Sequence, residues 1–114
     1  MAYSNAIRLI PEPIRSLAFG AIGADYLGIG TEIEHPARIL RIQNITDALL
    51  WFSYDGINDH EVLAPTSFLL LDITSNKTRE EGYYLAEGTR LYVRQNGVPT
   101  TGSVYVSVYY GATD

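Results

Sequence analysis

Few residues in this chain have the type and spacing to do chemistry. They are a Glu-x-Glu pair, a second acidic pair, two histidines, one oxygen-rich turn and an excess of tyrosine. Glu32 and Glu34 stand two apart. In a strand such residues share a face, and two facing carboxylates are what acid–base cleavage of a glycosidic bond uses. His35-Pro36 closes that stretch at once, however, and Glu-x-Glu is also the pattern of a solvent-facing strand. Glu80-Glu81 lies beside Lys77 and Arg79, where a solvated charge cluster explains it. The run Asp55-Gly56-Ile57-Asn58-Asp59-His60 collects oxygen ligands of the kind calcium takes. Its spacing is not that of an EF-hand, and Asp-Gly and Asn-Asp are turn formers that bond their own backbone. Neither His35 nor His60 has convergent partners in the sequence.

Other chemistries drop out on composition. There is no cysteine, hence no thiolate nucleophile, disulfide or Cys-based zinc site. No Gly-x-Ser-x-Gly elbow occurs, and Gly28-Ile29-Gly30 lacks the surroundings of a phosphate loop. The expectation is a chain with no catalytic residue, no metal and no cofactor, and so not an enzyme. Asn44-Ile45-Thr46 and Asn76-Lys77-Thr78 match the glycosylation acceptor pattern. Met1 to Ile10 has no basic region followed by an apolar one, so no secretory signal is expected and the match carries little weight.

Tyrosine is the informative residue, with nine in 114 positions and Trp51 besides. Its ring is large and apolar and its tip polar, which suits surfaces that meet. Tyr105 and Tyr109 fall on the outward side of the last strand, and Tyr92 sits similarly between Leu91 and Val93. They could form a protein contact face, or, with Trp51, a platform on which sugars stack. Cross-strand pairing on a sheet surface accounts for part of them.

These residues have to be positioned by strands. Val104, Val106, Val108 and Tyr110 alternate with Ser103, Tyr105, Ser107 and Tyr109, a period of two over eight residues. Arg38–Gln43, Ala48–Tyr54, Phe68–Ile73, Tyr83–Ala86 and Arg90–Gln95 read as further strands, separated by Gly, Pro and Asn turns. Leu50, Phe52 and Tyr54 share one face of a strand that is apolar on both. Ser16–Thr31 carries glycine at positions 20, 23, 28 and 30, too many for a helix, and reads as one or two short bent strands. The pattern predicts an all-β fold, an antiparallel β-sandwich or jelly-roll-like barrel. Residues 1–13 form an extended N-terminal arm and 14–114 a single sandwich domain. Pro11 and Pro13 hold the arm extended. Ile7, Leu9 and Ile10 have no local core to enter, so the arm, with both prolines, is expected to bind a partner.

With 18% charged residues and a net charge of −5, the chain is acidic but sparsely charged. Lys77 and seven arginines make no footprint for nucleic acid. No apolar run approaches the roughly 20 residues of a membrane span. The charge deficit lies at the two ends: Thr100–Thr113 carries none.

The phrases Ala37–Asn76 (ARILRIQNITDALLWFSYDGINDHEVLAPTSFLLLDITSN), Glu87–Gly97 (EGTRLYVRQNG) and Thr101–Gly111 (TGSVYVSVYYG) resemble small β-sandwich structural proteins of tailed bacteriophage particles. The resemblance covers about two-thirds of the chain. It lies in strand and turn phrases, not in a catalytic signature. It implies a virion protein assembled in the host bacterial cytoplasm, of capsid decoration, cement or staple type. Such a protein binds the major capsid protein or other virion proteins and forms a homo-oligomer, a dimer or trimer. A neck or tail adaptor, a baseplate subunit and a carbohydrate-binding module are the alternatives.

Overall fold

The computed structural model describes residues 7–73 and 85–113. Among these residues nine strands make two antiparallel sheets packed face to face, an open sandwich and not a closed barrel. One sheet holds β1 (Ile7–Pro11), β2 (Arg15–Ala18), β4 (Ala37–Thr46), β7 (Ser67–Asp72) and β9 (Gly102–Thr113). The other has the order β3 (Leu27–Gly28), β8 (Tyr92–Gln95), β5 (Leu50–Ser53) and β6 (Glu61–Leu63). The helix excluded by glycine density is indeed missing from residues 16–31, where a single 3-10 turn at Phe19–Ala21 separates β2 from β3. The strand expected at Tyr83–Ala86 falls largely outside the described residues, as do Asn76-Lys77-Thr78, Lys77, Arg79 and Glu80-Glu81. Leu85 makes an isolated bridge to Ala37.

Period-two alternation places the core. Leu40, Ile42, Val104, Val106 and Val108 are buried from the five-stranded sheet, and Leu50, Phe52 and Val93 from the four-stranded one. Fully burying each such side chain contributes about 1.5–3 kcal/mol. β5 is central in its sheet, between β8 and β6, which explains its two apolar faces.

β9 is the spine. β4 pairs with it along one side, from Ala37↔Tyr110 to Thr46↔Gly102. Along the other side run β1, from Ile7↔Thr113 to Pro11↔Tyr109, and then β2, from Arg15↔Val106 to Ala18↔Ser103. The register advances by one residue between those two stretches, so Glu12–Ile14 form a bulge. The N-terminal segment is therefore extended, as its prolines require, but residues 7–11 are laid on the chain's own β9. The Glu12 N–H donates to the Val108 carbonyl at 2.9 Å. By alternation, Pro11 occupies a position whose missing N–H faces away from β9, where proline costs no ladder bond.

Candidate interaction surface

Tyr105 and Tyr109 do lie on one surface, the outer face of the five-stranded sheet, and both are half-buried there. Cross-strand register sets their neighbours. One row runs Phe68, Gln43, Tyr105, Ser16; the next Leu70, Arg41, Ser107; the next Asp72, Ile39, Tyr109, Pro11. Ile45 pairs with Ser103 and Leu9 with Gly111 at the two ends of the same face. Phe68 is 62% exposed and Leu70 54%, with Leu9 and Ile45 close to half exposed. Arg41 and Asp72 are the charged side chains in those rows. One residue type in β7 marked that face: Asp72 shares it with Leu70 and Phe68 by alternation, two and four residues back. The apolar run Phe68–Leu71 hides the signal.

Tyr92 does not join them. Val93 beside it is fully buried, so Tyr92 points outward from the four-stranded sheet, on the opposite side of the sandwich. There it packs against Gly56 and under the Arg90 guanidinium, 5.8 Å from the ring centre. The three-tyrosine face is thus two tyrosines on one sheet and one on the other. Period two assigns a residue to a side of its own strand, and sheet order decides which outer face that side becomes. Trp51 also lies on the four-stranded side, so it cannot share a stacking platform with Tyr105 or Tyr109. Arg94 sits over both Trp51 and Tyr26, 5.8 and 5.4 Å from their ring centres, and is held by two bonds to Asp59 (3.1 and 2.8 Å). Tyr26 also donates its phenol proton to Asp59.

Of the arm residues, Leu9 and Pro11 are exposed on the outer face, Ile10 is half-buried opposite Tyr110, and Pro13 is exposed in the bulge. Ile7 pairs with Thr113. Beneath the bulge lies a polar node that sequence reading missed. Glu12 and Arg15 are both buried, with an Arg15 Nη2 to Glu12 Oε1 bond of 2.8 Å. Arg15 also donates to the carbonyls of Thr31 and Glu32, at 2.8 and 2.7 Å. Glu12 further accepts from the Glu34 and His35 backbone N–H groups and lies 3.0 Å from His35 Nδ1. His35 stacks on Tyr110 at 3.7 Å between ring centres. Burial raises the Glu12 pKa, but the bonds from Arg15, His35 and Glu34 outweigh it and hold the carboxyl below its ordinary value. The node ties the edge segment to the loop at residues 31–35. The only advance hint was the i,i+3 acid–base spacing of Glu12 and Arg15.

Glu32 and Glu34 flank the buried Ile33 and are exposed. They line an open groove of about 460 Å³ with Gly30, Thr31 and Arg90, whose guanidinium is fastened to the Gly30 carbonyl at 2.9 Å. The loop at 55–60 behaves as a turn. Asp55 accepts from the N–H groups of Ile57 and Asn58, from the Asn58 amide and from the Ser53 hydroxyl. Those donors, the Asn58 and Ile57 N–H first, hold its carboxyl far below the usual range. His60 lends Nδ1 to the Tyr54 N–H at 3.0 Å. Among the described residues no three His, Asp or Glu side chains are grouped to hold a metal ion.

Asn44 is not a glycosylation acceptor. It is fully buried, with its amide nitrogen donating to the carbonyls of Ala48, Leu63 and Ala64. Its oxygen accepts from the Thr46 N–H and hydroxyl.

Comparison of the chain with protein families, with characterised proteins and with solved structures finds no match.

Proposed function

We propose that this chain is a non-enzymatic structural protein of a tailed-bacteriophage particle, a decoration or cement protein that binds the shell of major capsid protein. The outer face of the five-stranded sheet is its contact surface. One observation carries the reading: exposed Leu9, Ile45, Phe68 and Leu70 share that face with Tyr105 and Tyr109, beside the two charged side chains Arg41 and Asp72. Large apolar side chains exposed together on one face of a small domain mark an interaction site. Aromatic enrichment is characteristic of an interface core. The sequence resemblance to virion structural proteins supplies the partner. A repeated lattice adds avidity, so each contact needs only modest strength.

The test is co-sedimentation of the purified chain with shells of the phage that encodes it, together with its copy number per virion. Hundreds of copies are expected. The double change Phe68→Glu and Tyr109→Glu should weaken shell binding by about a hundredfold, since charge enters an apolar contact. Six or twelve copies per virion would move the chain to the tail axis, and unchanged binding of the double variant would remove this face from the contact.

A further inference from the structure

Among the described residues the sandwich has four sheet edges, and three are blunted. The β1–β2 edge carries Pro11, Pro13 and the bulge between them. β3 is two residues long. β6 is three residues long and is followed by Ala64-Pro65. β7 is different: six residues, Ser-Phe-Leu-Leu-Leu-Asp, in unbroken register with β4 from Ile39↔Asp72 to Asn44↔Ser67. It has no proline, glycine, lysine or bulge, the usual means of keeping an edge from pairing.

Its free hydrogen-bonding groups can be assigned. The Ile73 N–H donates to the Arg38 carbonyl at 2.8 Å, so residues 73, 71, 69 and 67 face β4. The backbone N–H and C=O of Phe68 and Leu70 therefore point away from the sheet, and among the described residues no strand covers them.

We propose that β7 pairs antiparallel with β7 of a second copy of this chain, about a two-fold axis at Leu69, joining two five-stranded sheets edge to edge. An antiparallel strand placed on itself is isologous, each copy offering the same patch. With the axis at Leu69, Phe68 stands opposite Leu70 of the second copy, apolar against apolar on the outer face, and each pair exchanges two backbone bonds. An axis at Leu70 sets Phe68 against the Asp72 carboxylate instead. Charge favours self-pairing: the segment's one charge lies at its end, so the two copies of Asp72 stand roughly 20 Å apart along the strands. The buried area is well below the roughly 800 Å² per partner of a stable dimer, so the pair is weak, with Kd above about 10 μM. It forms where copies are crowded, and it sets two outer faces side by side. The pairing is a property of the isolated chain. Its failure leaves the shell-binding proposal standing, and the converse also holds.

Sedimentation velocity of the full chain from about 10 μM to about 1 mM should follow a monomer–dimer equilibrium with no larger species. Leu70→Pro removes an N–H that faces outward and leaves the β4 ladder intact, so it should stay monomeric with nearly unchanged thermal unfolding. Phe68→Lys, a second exposed change, should weaken association by about tenfold or more. The absence of cysteine allows a check on register. Phe68→Cys and Leu70→Cys chains, mixed and mildly oxidised, should form the mixed disulfide in preference to either self-pair, because opposed residues lie within disulfide reach. A wild-type chain that is monomeric at about 1 mM, Leu70→Pro associating as well as wild type, or equal self-linking of Leu70→Cys would each overturn the proposal.

Discussion

Glu12 is the residue on which the edge of the larger sheet turns. Its carboxylate is 1% exposed and takes bonds from Arg15, the His35 backbone and the Glu34 backbone. Because its folded pKa lies below its ordinary value of 4.5, the stabilisation it contributes is fully present above about pH 4.5 and is lost as pH falls through the folded pKa. Glu12→Gln should destabilise the chain at pH 7 by about 2–4 kcal/mol, since Arg15 is left buried without its charge partner. The two denaturation curves should converge as the pH drops toward 3. Asp47, Asp55 and Asp59 are also held low by their hydrogen bonds, so the measurement is the difference between wild type and variant across pH, not the wild-type curve alone. A constant difference would mean that Glu12 is not ionised in the fold. Asn44 teaches a related lesson at this scale. As a strand-end residue followed by Ile45-Thr46 it matches the acceptor pattern, a match of little weight without a secretory signal. Buried, it satisfies three carbonyls that strands β5 and β6 leave at their ends.

At the scale of elements, Gly102 opens β9 with φ of 89°, and a Cβ there would overlap the Ile45 carbonyl oxygen. Gly102→Ala should cost about 3 kcal/mol or more, from a left-handed backbone and a clash with main chain that has no room to yield. Thermal unfolding measures it, and a shift of only a degree or two would mean that β9 can start one residue later. β9 itself was plain in the sequence, because Val104, Val106 and Val108 alternate with Ser and Tyr. So were the apolar face of Leu50 and Phe52 and the turn at 55–60. The path of the N-terminal segment was not. Pro11 and Pro13 argue against pairing only while one ignores which way each N–H would point, and that direction depends on a partner strand about a hundred residues away. Tyr92 was misplaced for the same reason. Alternation is local, and the assignment of β8 to a different sheet from β9 is not.

For the whole molecule, the two outer faces are unlike. The four-stranded side carries the Arg94–Asp59 pair, Arg90 bonded to the Gly30 carbonyl and Asp55 in its turn, while the five-stranded side offers Phe68, Leu70 and tyrosine beside Arg41 and Asp72. Shell binding through the second face should respond little to salt. Kd should change less than about threefold between about 50 and 500 mM, because screening acts on exposed charges and not on apolar contact. A steep fall in affinity over that range, read by the same co-sedimentation, would point to the charged side. The central position of β9 also dictates an order of events. β4 must wait for it on one side, and β1 and β2 must wait on the other, although residues 7–18 are made first and 102–113 late. A growing chain can close the four-stranded sheet through β8 while the larger sheet still lacks its middle. The emerging intermediate would then hold β1 and β2 unpaired and the β4–β7 pair with one side open, so folding should be slow and prone to aggregation until residue 113 is free.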